Sequence, residues 1–246
     1  MNVIDINEFA GKVAVVTGGS RGLGAAVANI LLDGGCSYVA NLSLKGGCVI
    51  DDPRLKTFKT DVRRKEDIDR AVQKIVNECG RIDILVNCAG VCVMKDFTDL
   101  SEDDYDIVVD TNMKGTFLAC QSVIPVMEEN KYGRIINIAS TAGITGGSVG
   151  PQYGMSKAGV IALTQSIGRK YAGSGILTNC VAPGDMDTEM VAALFPTEEA
   201  KRKRADKIPT GAIAKPEEVA RLIAFLASER TTYITGETYR ISGGRM

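Results

Sequence analysis

The tightest constraint on this chain lies in its first 35 residues, where a short apolar run, a glycine-rich turn and an amphipathic stretch follow one another without a gap. Residues 12–16 (KVAVV) lead into Thr17-Gly18-Gly19-Ser20-Arg21-Gly22-Leu23-Gly24. Residues 25–32 then carry apolar side chains at helical spacing and stop at Gly34-Gly35. That order is strand, turn, helix. Glycines let a backbone bend sharply and approach a bound group closely. The start of the following helix offers unpaired N–H groups and a favourable dipole to a phosphate. The spacing Thr17-Gly18-x3-Gly22-x-Gly24 differs from G-x-G-x-x-G, and such a turn can also be a plain βα connection. The strand before it and the helix after it supply the context for a dinucleotide.

The rest of the chain repeats this alternation. Strands are expected at 37–42, 58–62, 82–86, 134–139, 176–181 and 238–241. Helices are expected at 66–79, 104–129, 152–172 and from Pro216 to about 228. Ser101-x-x-Asp104 has the form of a cap for the second of these, and Pro216 suits a helix start. The connection 43–55 is too short for a full crossover helix. Strands alternating with helices argue for an α/β fold, a Rossmann-like doubly wound parallel sheet of about seven strands with helices on both faces. No repeat or linker interrupts the chain, so residues 1–246 read as one domain. Within it, residues 185–212 read as a substrate lid. The basic run at 201–204 (KRKR) is either a solvated helix face or part of that lid.

Composition narrows the chemistry. The chain has 246 residues, 45% of them hydrophobic, a net charge of −1 and no histidine. A near-neutral balance leaves no electrostatic footprint for nucleic acid. No apolar run approaches the length of a membrane span, and residues 1–12 lack the pattern of a secretory signal, so a cytoplasmic location and no membrane partner are expected. Without histidine there is no Ser-His-Asp triad, Cys-His pair or His-ligated metal, and no metal site is expected. The seven cysteines form no C-x-x-C pair and read as reduced, buried thiols.

Three polar residues stand out. Tyr153 and Lys157 are four apart in a helical run and share one face. Ser140 follows the apolar run 134–139, at the C-terminal end of a strand, which is the ligand edge of an open α/β sheet. A hydroxyl, a phenol and an ammonium can therefore converge there. The end of the second strand has no acid at Asn41, Leu42 or Ser43 to hold a ribose 2′-hydroxyl, and Arg21 lies in the turn nearby. This favours a 2′-phosphate and hence NADP(H), with NAD(H) possible; the alternative is that Arg21 and Lys45 are merely solvated. Asp61-Val62 follow the third strand, where they could meet an adenine edge. Ala89 and Gly90 leave room at a strand end for a cofactor, or simply pack. Asn112 in an apolar helix is an ordinary structural amide unless its neighbours give it another role.

Taken together, Thr17-Gly18-x3-Gly22-x-Gly24, Asp61-Val62, Asn87-x-Ala89-Gly90, Asn112, Ser140, Tyr153-x3-Lys157 and Pro183-Gly184-x3-Thr188 resemble the short-chain dehydrogenase/reductase family over essentially the full length. Cys88 departs from it, where the family usually has a second Asn. The resemblance implies ketone–alcohol interconversion with a nicotinamide cofactor. It implies Tyr153 as acid/base and Ser140 as the group that orients the carbonyl. Lys157 would lower the Tyr153 pKa and hold the nicotinamide ribose, and Asn112 would anchor a water linking Lys157 to solvent. Cofactor contacts would come from Gly18, Ser20, Arg21, Gly22, Leu23 and Gly24 in the turn, and from Asn41, Ser43, Asp61 and Val62 near the adenosine. Asn87, Ala89, Gly90, Tyr153, Lys157, Pro183, Gly184, Met186 and Thr188 would complete the set, Thr188 on the nicotinamide amide.

Within the family, residues 133–140 (GRIINIAS), 233–237 (YITGE) and Gly243-Gly244 are similar to bacterial 3-oxoacyl-acyl-carrier-protein reductases, which implies an acyl-thioester substrate. In those enzymes basic residues dock the acidic carrier; Lys131 could serve, and Ser174 stands where a second would be. Hydroxysteroid or bile-acid dehydrogenases remain the alternative, for which the apolar residues 191–195 would suit a hydrophobic substrate. A cofactor-sensing regulator is the non-enzyme alternative, against which Tyr153 and Lys157 speak. Residues 141–152, with four glycines, are expected to line the substrate pocket. Family members are mostly homotetramers or homodimers built on the two long helices, and the small residues Ala158, Gly159 and Ala162 are compatible with close packing there.

Overall fold

In the computed structural model, which describes residues 7–147, 150–194 and 197–245, the strands are β1 (Val13–Thr17), β2 (Tyr38–Ser43), β3 (Leu55–Lys59), β4 (Ile84–Asn87), β5 (Gly133–Ile138), β6 (Ile176–Pro183) and β7 (Thr238–Ile241). They form one parallel sheet in the order β3-β2-β1-β4-β5-β6-β7. From β1 the chain runs outward to β2 and β3, then returns to β4 on the other side. The C-terminal ends of β1 and β4 therefore face the point where strand order reverses, which is where open α/β sheets bind ligands.

Both faces of the sheet are covered. Helix α1 (Gly22–Asp33) and helix α9 (Pro216–Ala227) pack on one face, against Ala14, Val16, Val39, Ile84 and Val86. Helices α2 (Lys65–Cys79), α4 (Gly115–Glu129) and α6 (Pro151–Tyr171) cover the other, against Val13, Val15, Ala40, Leu85 and Ile135. Alternate residues of β1 thus feed opposite cores, as the two-residue period of a strand requires. All five are buried, which is why the run reads as continuously apolar rather than alternating.

The clearest differences from the expected elements are two, at the third strand and at the helix expected over 104–129. The third strand is Leu55–Lys59, three residues earlier than expected, because its backbone pairs with Val39–Ser43 of β2. Asp61 and Val62 consequently lie beyond the strand end, and Val62 packs under Gly115 at the start of α4. The single helix expected at 104–129 is three pieces. Helix α3 (Glu102–Val109) is capped reciprocally by Ser101 and Asp104; a π turn spans Asp110–Lys114; then α4 begins. A π turn inside a helix inserts one residue into the ladder and is frequent at functional sites. Asn112 sits at its centre. The segment 189–205 is two short helices, α7 (Glu189–Leu194) and α8 (Glu198–Ala205).

Residues 195–196 of the expected lid and residues 148–149 of the expected pocket loop lie outside the described residues. Arg204 of the basic run is not simply solvated. With Arg245 it pairs with Asp185, at 2.6 and 3.0 Å, and so ties α8 and the end of β7's extension to the root of the lid segment. Gly159 faces inward: a Cβ there would fall 2.3 Å from Met113 Sδ, so its small size serves packing within this chain.

Candidate active site

The glycine turn, the end of β4 and the start of α6 come together at the reversal point. A Cβ on Gly18 would lie 2.9 Å from the Ala89 backbone, and one on Gly24 would lie 2.1 Å from the Gly18 carbonyl, so the turn closes only with glycine at both positions. A Cβ on Gly90 would lie 3.3 Å from Asn112 Oδ1 and 3.6 Å from Lys157 Nζ. Across the cleft, Thr188 Cγ2 is 3.5 Å from the corresponding point at Gly22. Gly18, Gly22, Ala89, Gly90, Lys157 and Thr188 therefore surround one space. Pro183 and Gly184, at the end of β6, bring the chain into it: the Pro183 carbonyl accepts from Thr141 N–H, and the Gly184 N–H donates to the Ile241 carbonyl. Met186 then bridges to Ala214.

Ser140 and Tyr153 are both half-buried, facing the cleft, while Lys157 is buried. Lys157 Nζ donates to the Ile138 carbonyl at 2.7 Å and lies 5.8 Å from the centre of the Tyr153 ring. Burial holds the Lys157 ammonium down to about 8. Burial also pushes the Tyr153 phenol up to about 12, and the hydrogen bond with Ser140 opposes that shift. Tyr153 is thus raised rather than lowered as expected: desolvation disfavours both charged forms, so a protonated phenol sits beside an ammonium of weakened proton affinity.

Asn112, which the family resemblance expects to anchor a water beside Lys157, lies next to Gly90 in the cleft. Its Oδ1 accepts from the Val91 N–H at 2.8 Å, and its Nδ2 donates to the Val91 carbonyl at 3.0 Å and to Ser156 Oγ at 3.1 Å. The Ser156 hydroxyl donates to the Tyr153 carbonyl at 2.8 Å. One amide therefore ties the segment after β4 to the turn of α6 that carries Tyr153. Gln152 does the same one turn earlier, donating to the Val93 carbonyl at 2.8 Å. Ser156 and Gln152 flank Tyr153 and were missed in the sequence. The signal available was their polarity inside a buried helix face.

The other residues expected to contact the cofactor have partners of their own in this chain. Asn41 is fully buried; its Nδ2 donates to Ser20 Oγ at 3.0 Å and to the Gly47 carbonyl at 3.3 Å. Ser20 in turn donates to the Gly47 carbonyl at 2.6 Å. Asn87 stitches strands together, donating to Asn137 Oδ1 at 2.9 Å. Arg63 donates two hydrogen bonds to the Asp61 carboxylate, and its guanidinium keeps that carboxyl below the usual carboxylate range. Leu23 is core. Arg21 pairs with Glu189, at the start of α7. Of the expected pocket loop, residues Ala142–Thr145 form one helical turn. Gly143 lets it press on α6, since a Cβ there would fall 2.7 Å from the Lys157 carbonyl carbon.

All seven cysteines are free, and burial pushes the Cys36, Cys88 and Cys120 thiols up to about 12. Among the described residues no group of three or more His, Cys, Asp or Glu side chains could hold a metal, and no helix is long and apolar enough to cross a membrane.

Residues 18–245 match a family model described as enoyl-(acyl carrier protein) reductase, adh_short_C2. A relative from Thermotoga maritima, named 3-oxoacyl-[acyl-carrier-protein] reductase FabG, is 36% identical over 244 residues, 96% of this chain and 98% of that protein. The FabG proteins of Aquifex aeolicus and Escherichia coli are 37% and 33% identical, each over 96% of this chain and 98% of their own length. The chain belongs to the short-chain dehydrogenase/reductase family. As a member of it, the protein is an oxidoreductase that interconverts a ketone and a secondary alcohol with a nicotinamide cofactor.

The residues of this short-chain reductase fit that cofactor. The cradle formed by Gly18 and Gly24 admits no Cβ. Beside it Asn41 Oδ1, and at the end of β2 Ser43 Oγ, are buried polar atoms with no partner among the described residues. Buried polar atoms are rarely left unpaired, and the ribose side of a dinucleotide is rich in hydroxyl donors.

Proposed function

We propose that this protein reduces the ketone of a 3-oxoacyl thioester, carried on an acyl carrier protein, to the secondary alcohol, with NADPH as the favoured cofactor. The arrangement of Ser140, Tyr153 and Lys157 around one point of the cleft carries this reading. The full-length relatives named for that reaction support the substrate.

Bound NADPH supplies the hydride. Ser140 and Tyr153 hold the substrate oxygen between two hydroxyls, which orients the carbonyl and stabilises negative charge developing there. Tyr153, protonated at neutral pH, passes its proton to that oxygen. Lys157, anchored by the Ile138 carbonyl, places a positive charge beside the phenolate that forms. Asn112 fixes the wall formed by Val91 and, through Ser156, the turn carrying Tyr153; we assign it the water link from Lys157 to solvent as well. In the cofactor's grip we place Gly18, Ser20, Arg21, Gly22 and Gly24, the backbones of Asp61, Ala89 and Gly90, and Thr188. Asn41, Ser43 and Asn87 support that layer.

Residues 185–212 close over the substrate, anchored by Arg204 and Arg245 on Asp185. Lys131 is exposed at the head of β5 and available to an acidic carrier, whereas Ser174 donates to Glu128 at 3.3 Å. The exposed Phe117 and Met155, with Ala158 and Ala162, give α4 and α6 an outer face suited to a homodimer or homotetramer. The protein works in the cytoplasm as one domain.

The test is NADPH oxidation with a panel comprising a 3-oxoacyl thioester, an enoyl thioester and a 3-oxosteroid. We expect turnover of the 3-oxoacyl thioester, lost by about 10²–10⁴-fold in Tyr153→Phe, with cofactor binding retained. Preferred turnover of the steroid or of the enoyl thioester overturns the substrate reading. Full activity in Tyr153→Phe overturns the mechanism.

A further inference from the structure

The glycine turn meets the lid segment through an ion pair between residues 168 apart in sequence: Arg21 Nη1 donates to Glu189 Oε2. Both side chains are exposed, 64% and 69%. Arg21 caps α1 with an extended backbone, φ −159°, and Glu189 opens α7 directly after Thr188, whose methyl approaches Gly22. The pair therefore lies across the mouth of the cleft between turn and lid.

On the other side of the same turn the polar groups bonded to one another are neutral, and Lys45, two residues beyond β2, is exposed. Ser20 and Asn41 both give their donors to the Gly47 carbonyl, and the end of β2 contributes Asn41 and Ser43 rather than an acid. Selection between a ribose 2′-hydroxyl and a 2′-phosphate then rests heavily on the Arg21 guanidinium, and in this structure that guanidinium is already claimed by a carboxylate. A 2′-phosphate, carrying nearly two negative charges, cannot share it with Glu189 without like-charge repulsion.

We propose that Glu189 is a cofactor-specificity residue: it competes with the 2′-phosphate for Arg21 and so weakens the preference for NADP(H) over NAD(H). The inference rests on the NADP(H) reading above. NAD(H) has no 2′-phosphate and leaves the pair closed. NADP(H) draws Arg21 away and releases the first turn of α7 from the glycine turn. Exposed ion pairs are weak and screened by salt, so the competition is several-fold rather than absolute.

The test uses the full chain and two cofactor fragments, adenosine 2′,5′-bisphosphate and adenosine 5′-monophosphate, with binding followed by calorimetry. Glu189→Gln should tighten the bisphosphate by about three- to tenfold at low salt and leave the monophosphate unchanged. The gain should shrink at high salt. Arg21→Gln should abolish both the preference for the bisphosphate and the effect of Glu189→Gln. If Glu189→Gln leaves bisphosphate affinity unchanged, or shifts both fragments equally, Glu189 is not a competitor and the proposal fails. If the wild-type chain binds both fragments equally and Arg21→Gln changes neither, the NADP(H) reading fails and takes the proposal with it.

Discussion

The two walls of the cleft are built on opposite plans. On the α6 side, polar side chains are buried and bonded to one another or to backbone: Lys157 to Ile138, Asn112 to Val91 and Ser156, Gln152 to Val93. On the glycine-turn side, the charged groups are exposed and exchangeable, as in Arg21 with Glu189. Buried networks lose heavily when one member is removed, because the partners left behind are desolvated and unpaired. Exposed pairs lose little. The α6 wall is therefore suited to holding reacting atoms in a fixed geometry, and the turn wall to admitting and releasing a cofactor.

The strongest way to break this contrast is at Lys157. Its pKa is held at about 8, below the ordinary 10.5, so between those values the unfolded chain binds more protons than the folded one, and folded stability rises with pH across that window. Below pH 8 the burial penalty is fully present. Lys157→Met removes it, so urea unfolding of the wild type should gain on the variant between pH 7 and pH 9.5, by roughly 2 kcal/mol. Catalysis should move the other way. In the proposed mechanism ketone reduction needs the ammonium, so kcat/KM should fall as pH rises through about 8, well below the pH at which Tyr153 would lose its proton. Lys157→Met should lower kcat by about 10² or more. A wild-type profile flat to pH 10 would refute this assignment.

Much of this contrast was legible in the sequence for one half and not the other. The alternation of apolar and amphipathic runs gave strand number, order of elements and two-sided cover, because those depend on local periodicity and on burial. Ser140, Tyr153 and Lys157 could be placed from one strand end and one helix face. The π turn at Asn112 was invisible, since Asp110–Lys114 has no helix breaker; tertiary bonds to Val91 and Ser156 accompany it. The third strand slipped by three residues because an edge strand with half-exposed faces, Leu55–Lys59, carries a weak apolar signal. Arg21–Glu189 and Asp185–Arg204–Arg245 join distant elements, and no spacing rule reaches that far.

A smaller effect is expected at Asn112, where the network can be opened from its centre. Asn112→Ala deletes three side-chain hydrogen bonds, to Val91 N–H, Val91 carbonyl and Ser156. The Val91 groups are only part-buried and water can replace Asn112 there, so the stability loss should be about 1–3 kcal/mol rather than three full desolvation costs. Activity should fall by about 10-fold or more through kcat, because the turn bearing Tyr153 loses a fixed partner. Equal losses in kcat and in affinity for adenosine 5′-monophosphate would show that the damage spreads to the turn wall, and would remove the distinction between the two.

Ser156 gives the finest division of the two plans, and the smallest expected effect. It is 1% exposed, accepts from Asn112 and donates to the Tyr153 carbonyl. Alanine there keeps the helix, since alanine is the best helix former, and it leaves one Asn112 N–H without its partner while Asn112 still holds Val91. The cost in stability should be about 1 kcal/mol. If Ser156 steadies Tyr153 through the backbone, Ser156→Ala should lower kcat by a few-fold at unchanged cofactor affinity, and Ser156→Thr should restore part of it. A variant that loses stability but keeps kcat would mean that the α6 turn holds Tyr153 by helix geometry alone, and that the buried network contributes to folding and not to aim.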